Sequence, residues 1–128
     1  MNYLSAEQVL FIHSRVIEQT GGSHGVRDLN MLLSALGRSQ VTFDDEDLIP
    51  DLFRKVAALL EALILNHPFL DGNKRTGVVA AGQFLHQNGY YLTAKNEELV
   101  SIGMGVAQAK NTLDELASWL KANSKSIE

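Results

Sequence analysis

The chain has 128 residues, 45% of them apolar and 20% charged, a size that buries roughly two-thirds of its unfolded surface around one core. Eleven basic against fifteen acidic side chains leave a net charge of −4, the reverse of the basic surplus by which nucleic-acid binders neutralise phosphates. The absence of cysteine excludes disulfides, thiolate zinc sites and cysteine nucleophiles. The longest apolar run, Val56-Ala57-Ala58-Leu59-Leu60, falls far short of the ~20 residues of a membrane span. Met1 to Glu7 contain no basic stretch ahead of an apolar core, so no signal peptide is read there. The expectation is one soluble, cytoplasmic domain over residues 1–128, with neither a membrane nor a nucleic acid as direct partner.

Helical spacing dominates. Ser5-Ala6-Glu7-Gln8 has the form of a capping box, and Val9, Ile12, Val16 and Ile17 then share one face until Gly21-Gly22. A shorter helix is expected from Arg27 or Asp28 to Leu36, with Gly37 as its stop. Val41-Thr42-Phe43 reads as a short strand or flap ahead of the acidic run Asp44-Asp45-Glu46-Asp47, and is the only segment read as extended. Pro50 suits the first turn of a third helix, where a missing N–H is harmless. From Leu52 to Leu65 that helix is apolar on nearly every face and so belongs at the centre. Pro68 ends it near Asn66 by pushing His67 out of the right-handed helical region. A fourth helix, Asn73 to Gln87, carries Gly77, Ala80, Ala81 and Gly82, which permit close approach of a neighbour, and Gly89 stops it. Glu97 to about Gln108 and Leu113 to Asn123 complete the set, the last opened by the capping box Thr112-Leu113-Asp114-Glu115. Gly103 and Gly105 imply either close packing or a break in the fifth. The fold class is all-α, a bundle of about six helices.

Between the two most apolar helices stands His67-Pro68-Phe69-Leu70-Asp71-Gly72-Asn73-Lys74-Arg75. Lys74 and Arg75 fall in a first helical turn, where the macrodipole disfavours a cation by about 0.3–1 kcal/mol. A bound anion resolves the conflict. The unpaired N–H groups of a helix start point outward, Gly72 lets a ligand approach the backbone, and the two cations add full charge. Phosphate is the natural guest. Asp71 beside a polyphosphate is a magnesium ligand of the usual kind, and the His67 imidazole is the residue type that accepts a proton from an attacking hydroxyl. Phe69 anchors the loop in the core. Plainer readings exist for each: a hydrogen-bonded loop histidine for His67, as for His13, His24 and His86; an ordinary turn at Asp71-Gly72; and cations paired with Asp71 at the surface. Gly72-Asn73-Lys74-Arg75-Thr76-Gly77 begins like a Walker loop, but Val78-Val79 follow where Lys and Ser or Thr belong.

His67 to Arg75 resembles the signature of the Fic/Doc superfamily, and specifically its Doc (death-on-curing) branch. Fic proteins write H-P-F-x-x-G-N-G-R-x-x-R, whereas Doc toxins carry lysine at the last glycine, here Lys74. The second arginine would fall at Val78 and is absent, again as in Doc. Val26-Arg27-Asp28 with Leu32 to Leu36, and Ala107 to Lys110 leading to Trp119-Leu120, extend the resemblance along nearly the whole chain. It implies a Fic/Doc-type helical fold and a toxin that transfers the γ-phosphate of ATP to a protein hydroxyl. The implied target is elongation factor Tu, so that translation stops.

On that resemblance His67 is the catalytic histidine and Asp71 assists it and holds Mg2+. Gly72 belongs to the anion nest, and Asn73, Lys74 and Arg75 contact the phosphates of ATP. A long cation in place of glycine removes space and adds charge, so the nucleotide is expected to lie reversed. The inhibitory pattern [S/T]-x-x-x-E-[G/N] is missed at Ser14–Glu18, which Gln19 follows. Inhibition in trans by an antitoxin, Phd-like or another small protein, is therefore expected. Two alternatives stay open: AMP transfer by the same fold, and a non-catalytic antitoxin-binding regulator. Residues 41–43 are either a flap that docks the target or a surface loop.

Overall fold

The capping box at Ser5 forms as its spacing predicts. Gln8 N donates to Ser5 Oγ at 3.2 Å, and Ser5 N donates to Gln8 Oε1 at 2.9 Å. From it runs helix α1 (Ala6–Thr20) in a computed structural model that describes all residues from Met1 to Glu128. Helix α2 (Leu29–Gly37) starts on Asp28, whose carboxylate accepts from Met31 N, and continues past Gly37 into a 3-10 turn at Arg38–Gln40. A hairpin follows, β1 (Thr42–Phe43) with β2 (Glu46–Asp47), turning on Asp44 and Asp45 at φ 52° and 65°. Then come α3 (Leu52–Leu65), α4 (Asn73–Gln87), β3 (Tyr90–Leu92), α5 (Asn96–Ala107), α6 (Leu113–Ala122) and β4 (Ser124–Ser126). The six helices make the fold all-α.

Helix α3 is the axis of the molecule. Phe53, Val56 to Leu60 and Ala62 to Ile64 are buried, and α2, α4, α5 and α6 all pack on it. A helix apolar on every face has no stable place except between others. Gly77 of α4 brings two of these helices together: a Cβ there would stand 2.9 Å from Ile64 Cγ1. One cluster of 22 buried apolar residues draws on all six helices, α5 through Val106. No helix is long and apolar enough to cross a membrane.

Two local expectations change, and one open alternative is decided. Pro50 lies outside α3, because Asp51 caps it: the Asp51 carboxylate accepts from Arg54 N at 3.0 Å. The 41–43 segment is not the only extended piece. β3 pairs antiparallel with β4, Tyr90 opposite Ser126 and Leu92 opposite Ser124, a ribbon made by tertiary closure of the C-terminus rather than by any pattern in Ser124-Lys125-Ser126. Helix α5 is unbroken, and its glycines serve packing. A Cβ on Gly103 would lie 3.4 Å from Val78 Cγ2, and one on Gly105 would lie 2.9 Å from Asn111 Oδ1.

Candidate active site

The loop from Asn66 to Gly72 joins the two central helices and is held from outside by the segment between α1 and α2. Arg27 N and Asp28 N both donate to Pro68 O, at 2.8 and 3.0 Å, and Leu70 N donates to Gly25 O at 3.1 Å. Val26 and Phe69 form an antiparallel bridge. The Arg27 guanidinium closes the end of α3, donating from Nε to His67 O at 2.6 Å and from Nη2 to Asn66 O at 2.8 Å. These are carbonyls that a helix C-terminus otherwise leaves to water. Arg27 is the clamp of the site, a role that no spacing in the sequence announces.

His67 is exposed and takes φ +47°, a left-handed conformation that costs a non-glycine residue about 1–2 kcal/mol. It leaves the right-handed region as Pro68 requires, but turns left-handed rather than extended. Arg27 and the Pro68 carbonyl bonds hold it there.

Phe69 is 1% exposed and is the anchor expected of it. Against its ring, centroids 3.8 Å apart and planes 5° from parallel, lies the imidazole of His13. His13 is itself buried, and its Nε2 bonds Asp71 O at 2.8 Å. A carbonyl only accepts, so Nε2 carries the hydrogen. His13 is thus a support of the motif loop from a distant helix, not a plain loop histidine. Its place on the apolar face of α1 was the available signal.

Asn73 folds back on the loop: its Oδ1 accepts from Phe69 N and its Nδ2 donates to Phe69 O, both at 3.0 Å. One N–H of its amide is left for a ligand. Asp71 is exposed, its Oδ1 accepting from Gly72 N at 2.9 Å and its Oδ2 from Ser23 N at 3.2 Å. It is not spent on the neighbouring cations. Lys74 and Arg75 are exposed and belong to none of the ion pairs of the molecule, which are Arg38–Glu61, Arg54–Asp114 and Lys55–Asp47.

Gly72 at φ +75° starts α4 without a side-chain cap, so the first-turn N–H groups keep their capacity for a ligand. A Cβ at Gly72 would approach Ile17 Cδ1 to 3.0 Å as well as strain the backbone. The Thr76 hydroxyl, buried one turn further on, has no hydrogen-bond partner.

A cleft of about 310 Å³ opens over this helix start. Asp71 to Arg75 form one side, Thr20 and Gly21 border it, and Val79, Val100 and Met104 give it an apolar end. His67 does not line it. The structure therefore gathers Asp71, Gly72, Asn73, Lys74 and Arg75 in one cleft and sets His67 at the other end of the same loop. The chemistry of the site suits a polyanion, with two unpaired cations and an uncapped helix start. No group of three or more carboxylates and histidines gathers anywhere to hold a metal. A divalent cation here would have Asp71 as protein ligand and take its other oxygens from phosphate and water, the habit of Mg2+ rather than of zinc.

The family model described as Fic/DOC family matches residues 3–85. Toxin Doc of Mycolicibacterium smegmatis is 40% identical over 116 residues, covering 91% of this chain and 81% of its own. Protein kinase doc of Escherichia phage P1 is 31% identical over 121 residues, covering 94% of both chains. A match of this extent settles the relationship: the chain belongs to the Fic/DOC family, in its Doc toxin branch.

Proposed function

We propose that this toxin transfers the γ-phosphate of ATP to a hydroxyl side chain of a protein, with elongation factor Tu as the acceptor that the family likeness implies. The acceptor oxygen bonds to the γ-phosphorus, the bond from that phosphorus to the ADP oxygen breaks, ADP leaves, and the hydroxyl proton passes to the His67 imidazole. Because phosphoryl transfer is loose at its transition state, positioning and charge supply most of the rate. Lys74 and Arg75 bind the phosphates, with the first-turn N–H groups of α4 behind Gly72. Asn73 holds the loop in shape and offers its remaining N–H. Asp71 holds Mg2+, which neutralises phosphate charge when bound.

The observation that carries this reading is Lys74. It is a free cation in the cleft where Fic enzymes write glycine, and its bulk and charge favour a terminal phosphate over the close backbone approach that glycine allows. The relative named as a protein kinase supports the same assignment. The hairpin of β1 and β2, with Phe43 68% exposed at its turn, is the docking edge for an extended segment of the acceptor. A cognate antitoxin inhibits in trans.

Incubation with elongation factor Tu and ATP labelled at the γ-phosphate should label the acceptor, whereas label at the α-phosphate should not transfer. Transfer of α-label would make the protein an AMP-transferase. Absence of both, with antitoxin binding retained, would make it a non-catalytic partner.

A further inference from the structure

The hairpin of β1 and β2 has no core of its own, since every residue from Gln40 to Leu48 is exposed. Two-residue strands pairing Thr42 with Asp47 and Phe43 with Glu46 are far below what holds a pose in water. Something outside must fix it. Among the hairpin side chains, Asp47 alone hydrogen-bonds to the body of the protein: its Oδ2 accepts from Lys55 Nζ at 3.1 Å.

Lys55 is an unusual anchor. It sits near the start of the central helix with only 1% of its surface exposed. Its ammonium also donates to Ser39 O at 2.8 Å and to Tyr3 Oη at 3.0 Å, so all three of its donors are satisfied. Burial pulls its pKa down, but the hydrogen bonds and charges of Tyr3 and Asp47 outweigh burial and leave it above the ordinary 10.5. The cation is therefore permanent at neutral pH. The same helix that buries Lys55 near its start delivers His67 just past its end, about 18 Å further along at 1.5 Å per residue. An extended polypeptide spans that distance in about five or six residues.

We propose that the Lys55–Asp47 pair is the tether that sets the pose of the 42–47 hairpin relative to His67, which makes Lys55 a positioning residue for docking of the acceptor polypeptide. The docking half of this inference rests on the protein-hydroxyl transfer proposed above; the tether itself does not. Lys55 touches neither nucleotide nor acceptor. It acts through Asp47, and the two-residue strands amplify its effect because no other hairpin side chain hydrogen-bonds to the body of the protein.

The test uses the full chain carrying Asp47→Ala, which leaves Lys55 its bonds to Ser39 and Tyr3, with Asp47→Glu as the conservative rescue. Amide hydrogen exchange across residues 41–48 reads the tether directly, and steady-state kinetics with elongation factor Tu read its use. Asp47→Ala should speed exchange of the hairpin amides, Leu48 N–H included, and raise KM for the acceptor about fivefold or more, the scale of one charge-assisted bond. KM for ATP and kcat should stay within about twofold, and Asp47→Glu should restore both readouts. Unchanged hairpin exchange in Asp47→Ala overturns the tether, whether or not transfer is detected. Faster exchange with an unchanged acceptor KM overturns the positioning role. A wild-type protein that transfers no phosphate overturns the proposed reaction and with it the docking half, while the exchange measurement still decides the tether.

Discussion

His13 and Asp71, 58 residues apart in the chain, are joined by a 2.8 Å hydrogen bond from the ring of one to the backbone carbonyl of the other. The same ring covers Phe69 face to face. One buried imidazole thus fixes both the apolar root of the motif loop and the peptide that turns it into α4.

His13→Phe keeps a ring on Phe69 and deletes the bond, leaving the Asp71 carbonyl without that partner. It should lower stability by about 1–2 kcal/mol and weaken ATP binding. His13→Ala also empties the stacking position and should cost about 2–4 kcal/mol. Urea unfolding of both variants, with calorimetric titration of ATP into His13→Phe, checks the pair. Equal stabilities for the two would contradict a role for the stack.

His67→Ala should lower the transfer rate by about 10²–10⁴-fold, the usual range for loss of a positioned general base, and leave ATP affinity within about twofold. His67 does not line the cleft proposed for the phosphates, so the two effects should separate. A parallel fall in ATP binding would count against the assignment.

Lys74→Ala should move function and stability in opposite directions. ATP affinity should fall about tenfold with the loss of one charge-assisted contact, while the ligand-free protein gains about 0.3–1 kcal/mol as a cation leaves the positive end of α4. Arg75→Ala should behave alike. Thermal unfolding with and without ATP reads both signs in one experiment, and a destabilised ligand-free variant would show that Lys74 has a structural partner.

Thr76 buries a hydroxyl that bonds to nothing. Thr76→Val removes the uncompensated polar group at nearly constant shape and should raise stability by about 1–2 kcal/mol. A lower urea midpoint for Thr76→Val would mean that the hydroxyl has a partner such as a buried water.

Glu115 is held below the ordinary glutamate value of 4.5, first by the Thr112 backbone N–H and then by the Thr112 hydroxyl. A depressed carboxylate stabilises above its unfolded pKa, and its contribution disappears as pH falls through the folded value. The stability difference between wild type and Glu115→Gln should therefore be largest near about pH 7 and vanish by about pH 2. Melting curves across that range decide it; a constant difference would place the effect elsewhere than in the charge.

Local rules were enough for most of the fold. Ser5, Thr112 and Gly72 mark three helix starts where the structure has them, and the helix expected from Arg27 or Asp28 begins at Leu29 with Asp28 as its cap, because helix starts are decided within a few residues. The apolar run from Leu52 to Leu65 is legible as the central helix for the same reason. What escaped is non-local. Arg27 and His13 reach the motif loop across 40 and 58 residues, and β4 exists only because the C-terminus returns to Tyr90. Within the loop, residue types disclose the charge of the site but not the division of labour. Asn73 looks like a phosphate ligand, yet two of its hydrogen-bonding groups close the loop on Phe69.

The segment between α1 and α2 runs alongside the motif loop in fixed register, with Ser23 against Asp71, Gly25 against Leu70, Val26 against Phe69 and Arg27 against Pro68 and His67. It acts as a casting mould for a turn far downstream. A single inserted or deleted residue there would slide every one of these partners by a notch, so indels at this outwardly unremarkable stretch should be as damaging as changes to the signature itself.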